Sequence, residues 1–441
     1  MFKKIMALAA MALLPATASY AADWKKYDGE EVNMICVTIT WCNALAEQLD
    51  DFEELSGITV NLDLFEESAA HQKVRTELAS RSGAYDVVWV QANWSIPYAK
   101  QGWLEPLQPL IDDAELTDAE LLAFDDLMPS LTNLMRYEGD LYGLPFFAAT
   151  IITYYRADLL EKAGIDPAQL DTIDGFYDAV KKLHADGISG VAMRGHPDES
   201  SWHQTVFLKG LGGTYLEDIK GEQYQPTLTT PAAVQAAEMY ADMIANYSPD
   251  GAINFKFSDV VVAMQQGNTA IIMEGAPLGG RINDPDKSTV RGKVGYAMVP
   301  KGPNGRHPAF TGHGVALAAD APNRDAAWLF LQWALSRDLT LKIALESNHV
   351  AVSRNSVWED PAFIEKWNLP GAGGDFLKAF QDSLNAADPD YRPRISGWGE
   401  VNRSYGEALQ TIMLGDKAPG EAMADAQAKA EEVMKRLDYI K

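Results

Sequence analysis

The feature that most constrains the fold is an alternation of strand and helix patterns near the start of the chain. Strand patterns occupy residues 31–40 (EVNMICVTIT), 58–64 and 85–90 (YDVVWV), and helix patterns fill residues 44–56 and 68–82 between them. A β-α-β-α-β order is typical of a parallel sheet with helices packed on its faces. We therefore predict an α/β fold.

A second set of α/β patterns follows later in the chain. Helix patterns begin at Gly175, Trp202 and Pro231, and the tail is mostly helical. Further strand patterns occupy residues 188–193, 269–274 (TAIIME), 294–299 and 314–318. No Ser/Gly linker separates the two sets, so we expect close connections and a chain that crosses between them several times.

The stretch from Tyr137 to Asp166 joins these two sets. It contains a Gly-Asp turn and then a β-prone run, Ile151 to Tyr155. Taken alone, this run is either one more core strand or a connection between two lobes. With an α/β set on each side, we predict a hinge strand. Of the adjacent Phe146 and Phe147, we expect one to pack the joint and the other to face a cleft.

The N-terminal residues and the overall charge limit where the protein acts. Residues 1–22 combine Lys3 and Lys4, an apolar run and small residues, which is typical of a cleavable secretory signal peptide. We expect a soluble protein exported to the periplasm. The net charge of −25 argues against binding nucleic acid or anionic lipid, because both require a basic surface.

The two cysteines, Cys36 and Cys42, lie six residues apart. In an extended chain they would be about 20 Å apart, too far for a disulfide. Only a sharp reversal after Thr40 would bring them together, so we expect two buried thiols, with a disulfide as the alternative.

Several motifs, in their order and spacing, resemble one family. They are GAYDVVWV (83–90), GWLEPL (102–107), GDLYGLPFFAATIITYYRADLLEKAGID (139–166), TAIIMEG (269–275) and the final region from YRPRISGWGEV to AEEVM (391–434). Together they resemble the extracellular solute-binding proteins of ABC importers, in the branch that carries sugars and polyols. Gly275-Ala276-Pro277 and Val350 depart from the usual pattern of that family.

The resemblance implies a periplasmic-binding-protein-like fold, with two α/β lobes joined by about three hinge crossings and a ligand cleft between them. The N-terminal lobe would contain residues 23–145 and 268–345, and the C-terminal lobe residues 146–267 and 346–441. TAIIMEG would be the strand that returns to the first lobe. The partners would be a small-molecule sugar or polyol and the membrane subunits of an ABC permease. We expect a monomer without a cofactor.

Sugars and polyols offer hydroxyls and C–H faces, so a site for them needs carboxylates, amides and aromatic rings. In an α/β sheet these groups should follow the C-terminal ends of strands. Three successive strand patterns of the first lobe end in such residues, which are Trp41 and Asn43, then Glu66 and His71, then Gln91 and Trp94. The alternatives are lobe packing for the tryptophans and, for Glu66, a favourable interaction with the dipole of the helix that follows.

The remaining candidates are distributed over the later chain. They are Phe147, Thr150, Trp202, Glu274, Gly275, His313, Arg354 and Trp398. A buried Glu274 would need either a ligand hydroxyl or a nearby arginine as its partner. Arg354 or Arg394 could clamp an anionic ligand, although salt bridges within this acidic protein are the alternative.

Sequence motifs for catalysis and for metals are missing. No nucleophile-elbow, zinc-protease, P-loop or dinucleotide motif occurs, and the seven histidines lack metal-ligand spacing. We therefore expect a binding protein for a neutral carbohydrate or sugar alcohol. Two alternatives stay open at this point. One is a secreted glycoside hydrolase or lyase, and the other is a binding protein for an anionic sugar derivative.

Overall fold

The computed structural model describes residues 23–185, 187–388 and 390–441, so the predicted signal peptide lies outside the described residues. Its strands are β1 Glu31–Val37, β2 Thr59–Phe65, β3 Val87–Gln91, β4 Arg136–Tyr137, β5 Asp140–Leu141, β6 Leu144–Arg156, β7 Ser189–Ala192, β8 Leu216–Asp218, β9 Gln223–Pro226, β10 Thr269–Gly275, β11 Val294–Met298 and β12 Phe310–Leu317.

Helices cover both halves of the chain. They are α1 Thr40–Ala46, α2 Leu49–Ser56, α3 Glu67–Ser80, α4 Ala92–Lys100, α5 Gln108–Ile111, α6 Ala119–Leu122, α7 Pro129–Leu134, α8 Ala157–Ala163, α9 Ile173–Leu183, α10 Ser201–Gly210, α11 Pro231–Tyr247, α12 Phe257–Gln265, α13 Gly279–Ile282, α14 Arg324–Ala334, α15 Arg337–Glu346, α16 Asn355–Trp358, α17 Pro361–Trp367, α18 Phe376–Ala386, α19 Trp398–Met413 and α20 Pro419–Arg436. Short 3-10 turns occupy Phe124–Asp126, Pro167–Asp171, Ala252–Asn254 and Ala276–Leu278. In the described part of the chain, no helix combines the length and apolar character needed to span a membrane.

The predicted parallel sheet at the start of the chain is confirmed. Strand β1 pairs in parallel with β2 on one side and with β3 on the other. Its apolar run is almost fully buried, as expected for a central strand that helices cover on both faces. The full strand order is β2-β1-β3-β12-β6-β10-β7, and β11 also pairs with β6.

Strand β6 belongs to both halves of this sheet. Its first part, up to Thr150, pairs with β12, and its second part, from Ile151, pairs with β10 and β11. The two parts also pack in different apolar cores, with Phe146 in the first and Ile151 in the second. The chain therefore passes from one half to the other within a single extended strand of 13 residues.

The expectation that the TAIIMEG strand returns to the first lobe is wrong. This strand, β10, runs antiparallel to the second part of β6 and parallel to β7, and all seven of its residues are buried there. The chain returns to the first lobe through residues 299–309, which follow β11 and lead into β12. Strand β12 then pairs with β3. The apolar pattern of β10 suits either half of the sheet, and only its pairing partners distinguish them.

A third crossing lies in residues 347–354. There Ala148 of β6 donates its N–H to the Ala351 carbonyl at 3.0 Å, and Met128 donates to the Ser353 carbonyl at 2.9 Å. Residues 355–386 then pack against β6 and β11 at the joint. We therefore propose a first lobe of residues 23–150 and 310–346 and a second lobe of residues 151–309 and 355–441.

The predicted helix 44–56 is two helices, α1 and α2, and α1 begins at Thr40, immediately after β1. This turn brings the Cα atoms of Cys36 and Cys42 to 6.3 Å, and the two residues form a disulfide. The expectation of two free thiols is wrong because the chain reverses earlier than the strand pattern indicates.

Candidate functional site

The C-terminal ends of strands from both lobes meet at the middle of β6. Gln91, the last residue of β3, pairs with His313, and His313 pairs with Phe147 of β6. From the other side, Gly275, the last residue of β10, pairs with Ile151. Ligands of open α/β sheets bind beyond such strand ends. The candidate binding site therefore lies in this zone, near Phe147–Ile151.

The first lobe contributes an aromatic and polar surface at this zone. His71, on α3, stacks on Trp94 of α4 with ring centroids 4.0 Å apart. Burial and the nearby Arg75 lower the pKa of His71, so its ring is neutral at neutral pH. Its Nε2 atom is buried and has no hydrogen-bond partner among the described residues. Trp94 is 37% exposed, which leaves part of the indole free to contact a ligand.

Gln91 connects this surface to the start of α3. Its Nε2 donates to Glu67 Oε1 at 3.3 Å and lies 3.4 Å from His313 Nε2. His313 itself is buried beneath Phe147 and accepts a hydrogen bond at Nδ1 from Trp89 Nε1 at 3.3 Å. Burial lowers the pKa of His313 to about 3, so the ring supports this surface as a neutral group.

The second lobe presents a group of donors without partners. Trp202 on α10 and Tyr391 meet edge to face, with ring centroids 5.8 Å apart, and the guanidinium of Arg392 lies 4.7 Å from the Tyr391 ring centre. Trp202 Nε1, Tyr391 Oη and Arg392 Nε are all buried, and none has a hydrogen-bond partner among the described residues. Buried polar groups are rarely left unpaired. Three such donors together therefore indicate a place for ligand oxygens.

Charged groups of the second lobe influence a carboxyl group of the first lobe. Burial of the carboxyl group is the main cause that raises the pKa of Glu67, although much of the residue is exposed, and the neighbouring Glu66 adds to it. Glu199 of the second lobe raises this pKa further, whereas Arg392, also of the second lobe, lowers it. The charges of Glu199 and Arg392 therefore act on a first-lobe carboxyl group across the joint.

Several residues predicted to contact ligand are instead part of the protein interior. Trp41 is 1% exposed and stacks on Phe146 at 4.1 Å, so these two rings pack the first-lobe core. Thr150 is fully buried, and its hydroxyl donates to the Ala309 carbonyl at 3.0 Å, which ties two crossings together. For both residues, packing replaces the predicted ligand contact.

The structure also contradicts the prediction that Arg354 could clamp an anionic ligand. Its guanidinium is fully buried and donates to the carbonyls of Leu335, Ala123 and Leu122 and to Asp126. These bonds connect α16 to the loop around Asp126, so Arg354 is not available as an anion clamp. Arg394 pairs with Asp390 at 2.9 Å.

Glu274 and Gly275 lie at the zone but have protein partners. Arg194 donates to both carboxylate oxygens of Glu274. Burial alone would raise the pKa of Glu274, but the charge and hydrogen bonds of Arg194 outweigh it and lower that pKa to about 2. The Gly275 carbonyl accepts a hydrogen bond from Tyr154 Oη at 3.1 Å. The sequence allowed either a ligand hydroxyl or an arginine as the partner of Glu274, and in the structure the partner is an arginine.

The other predicted residues are partly exposed. Asn43 lies on the outer face of α1, and Glu66 caps α3 by accepting a hydrogen bond from Ser68 N at 2.9 Å. Phe147 is half-buried between His313 and His349. Trp398 begins α19 and packs edge-on against Tyr215 at 4.9 Å, in the second-lobe core.

Sequence reasoning missed Arg194, Glu199, Tyr391 and Arg392. Arg194 follows directly after β7, so the rule of polar residues beyond strand ends, applied to the second lobe, would have found it. Tyr391 and Arg392 lie in an irregular segment between α18 and α19, where no periodic pattern marks them.

The arrangement suits reversible capture of hydroxyl groups. Unpaired N–H and O–H donors lie on one lobe, and carboxylate, amide and aromatic groups lie on the other. Within the described ranges, no cluster of three or more His, Cys, Asp or Glu side chains is arranged to hold a metal ion.

Comparisons with known proteins show which chains this one is similar to. The family model described as "Bacterial extracellular solute-binding protein" matches residues 42–339. The mannitol-binding protein of Pseudomonas aeruginosa is 25% identical over 397 residues, which are 86% of this chain and 87% of that protein. The erythritol/L-threitol-binding protein of Mycolicibacterium smegmatis is 23% identical and covers 93% of this chain and 87% of its own length.

Solved structures show the same fold. An ABC transporter solute-binding protein from Agrobacterium vitis with bound D-mannitol has a TM-score of 0.77 and 25% identity, and covers 93% of this chain and all of that one. A second, from Agrobacterium radiobacter with ribitol, has a TM-score of 0.78 and 22% identity, covers 92% of this chain and 99% of that one, and supports the fold alone.

Proposed function

The chain belongs to the bacterial extracellular solute-binding proteins, and we propose that it captures a neutral sugar or sugar alcohol for an ABC importer. The ligand lies between the two lobes, near Phe147–Ile151 of β6. The predicted signal peptide, residues 1–22, exports the protein to the periplasm, where it acts as a monomer and delivers its ligand to the membrane subunits of the permease.

One observation carries the proposal. Trp202 Nε1, Tyr391 Oη and Arg392 Nε are buried donors without partners among the described residues, and the charge of Arg392 acts on the Glu67 carboxyl group of the first lobe. A hydroxyl group both accepts and donates hydrogen bonds, so a chain of hydroxyls can satisfy the second-lobe donors and donate to the Glu67 carboxylate at the same time. The Trp94 ring, which is 37% exposed, offers a flat surface for C–H groups.

The charges around the zone favour a neutral ligand over an anionic one. Four carboxylates lie at or beneath it, those of Glu66, Glu67, Glu199 and Glu274, against three arginines, Arg75, Arg194 and Arg392. The carboxylates therefore outnumber the cations. Arg354 and Arg394, which sequence reasoning considered as anion clamps, are held by Asp126 and Asp390. An anionic sugar would therefore meet net repulsion.

Binding and release depend on the joint. β6, residues 299–309 and residues 347–354 form the three connections, and small changes in their backbone angles let the lobes close around a ligand. The ligand shifts the open–closed equilibrium because it contacts both lobes only when they are closed. The relatives are binding proteins, so the glycoside hydrolase alternative gains no support from them, and we propose no covalent step.

A thermal-shift screen tests this function. We expect mannitol, ribitol, erythritol or a neutral sugar to raise the melting temperature, because ligand at a hundred times its Kd adds about 2.7 kcal/mol of stability. Sugar acids and sugar phosphates of the same carbon skeletons serve as matched controls and should have no effect. Stabilisation by the anionic compounds alone would contradict the proposal.

A further inference from the structure

A buried ion pair lies beneath the ligand-facing surface of the second lobe. Arg194, which follows β7, donates from Nε and Nη2 to the two carboxylate oxygens of Glu274 at 2.7 and 2.5 Å. The Glu274 side chain is fully buried, and the Arg194 side chain is 13% exposed. A bidentate pair of this kind fixes the plane of the guanidinium group as well as its position.

Further contacts hold Arg194 on its remaining sides. Its Nη1 atom lies 3.5 Å from Glu199, so each of its three guanidinium nitrogens faces a carboxylate. The backbone is held as well. The Arg194 N–H donates to His203 Nδ1 at 3.1 Å, and its carbonyl accepts a hydrogen bond from Tyr240 Oη at 2.7 Å. All three guanidinium nitrogens face protein carboxylates, so any effect of this residue on a ligand passes through a neighbour.

That neighbour is Trp202, because Phe257, the other aromatic ring near the guanidinium at 5.8 Å, has no polar atom to orient toward a ligand. The centre of the Arg194 guanidinium lies 5.4 Å from the Trp202 ring centre, within the range of a cation–π contact. On another side, Tyr391 packs edge to face with the indole. The direction in which the unpaired Trp202 Nε1–H points therefore depends on where Glu274 holds the guanidinium.

We propose that Arg194 is a positioning residue that holds the Trp202 indole in its ligand-binding orientation through the bidentate pair with Glu274 and the cation–π contact. This inference rests on the proposed function. It extends the site to a residue that does not touch the ligand. It also gives the buried ion pair a role in binding. Stability alone does not require such a pair, because apolar residues of similar volume often replace one without loss of stability.

A double-mutant cycle for binding tests this role. Arg194→Lys keeps the charge but loses the planar, bidentate geometry, so we expect the Kd for a stabilising polyol such as mannitol to rise by about tenfold or more. Trp202→Ala should weaken binding by itself. In the Trp202→Ala background, Arg194→Lys should change the Kd by less than about twofold, because its effect passes through the indole. Isothermal titration calorimetry measures all four affinities.

Two further variants control for folding. Arg403→Lys changes an exposed arginine that also pairs with two carboxylates, Asp198 and Glu407, and should leave the Kd unchanged. If Arg194→Lys does not fold, the combined change Arg194→Met with Glu274→Leu removes the pair without leaving an unpaired buried charge. We expect this variant to fold and to show the same loss of affinity.

The outcomes separate the two proposals. A wild-type Kd in a folded Arg194→Lys protein, or in the Met/Leu variant, would overturn the positioning role and leave the binding function intact. An equal loss in both Trp202 backgrounds would also overturn it, because the effect would then be independent of the indole. A wild-type protein that binds no neutral sugar or polyol would overturn the proposed function, and the positioning role with it.

Discussion

Arg354 and Arg392 carry the same charge but have different surroundings. The guanidinium of Arg354 is enclosed by three backbone carbonyls and Asp126, whereas Arg392 keeps an unpaired Nε next to the aromatic surface. From the sequence both were arginines in the last quarter of an acidic chain. No local pattern distinguishes them, because two of the three carbonyls that enclose Arg354, and Asp126 as well, come from residues more than 200 positions away.

At Arg354 we expect a large effect on stability and none on binding. Arg354→Ala removes a donor from three buried carbonyls and the cation that faces Asp126, which should cost at least about 3 kcal/mol of unfolding free energy. Urea denaturation measures this loss, and calorimetry on the folded variant should give the wild-type Kd. A raised Kd with little loss of stability would show that Arg354 takes part in ligand binding.

Buried histidines should make the protein sensitive to mild acid. Burial lowers the pKa of His313 to about 3 and that of His349 to about 4. The unfolded chain takes up protons near pH 6.5 while the folded protein does not, so stability is full above pH 6.5 and falls as the pH drops toward 4. For each pH unit below 6.5, each of these histidines should lower the free energy of unfolding by up to about 1.4 kcal/mol.

Glu274 does not account for a loss in this range. Its pKa is depressed to about 2, so its contribution to stability is present above about pH 4.5 and is lost only below that. Urea unfolding of His349→Gln between pH 7 and 5 should therefore show a shallower dependence on pH than the wild type. An unchanged slope would contradict this assignment.

At the scale of elements, local patterns predicted most strands and helices and few of the pairings between them. Helix α11 begins at Pro231, as the sequence indicated, and Thr230 caps it; this start could be predicted because it depends on neighbouring residues only. The sheet position of β10 could not be predicted, since an apolar run of seven residues fits either lobe. Tyr391 and Arg392 lie in irregular backbone, which has no hydrophobic periodicity from which their positions could be predicted.

Strand β6 provides an element-scale test at Thr150. Its hydroxyl donates to the Ala309 carbonyl and so joins two of the three crossings. Thr150→Val should cost about 1 kcal/mol of stability through loss of this hydrogen bond and leave ligand affinity unchanged. Thr153→Val, which removes a hydroxyl that donates to the Met298 carbonyl at 3.2 Å within the second lobe, is the matched control. A selective loss of affinity in Thr150→Val would mean that the hydroxyl contacts ligand.

At the scale of the whole molecule, the resemblance in the sequence predicted two lobes and a cleft, and the structure adds where the chain crosses between the two halves of the sheet. Glu67 and Gln91 belong to the first lobe, and Trp202, Tyr391 and Arg392 belong to the second. Residues that face each other across a joint are far apart in sequence, so their meeting depends on how the three crossings fold. The net charge of −25 keeps the protein soluble without specifying the ligand.

The central claim is that one neutral ligand is held between the two lobes, and titration calorimetry with paired variants tests it most directly. Glu67→Gln on the first lobe and Arg392→Gln on the second should each raise the Kd of a polyol such as mannitol by about tenfold or more, with Arg403→Gln as an exposed control at wild-type affinity. Wild-type affinity in both Glu67→Gln and Arg392→Gln would show that the ligand does not lie between these surfaces.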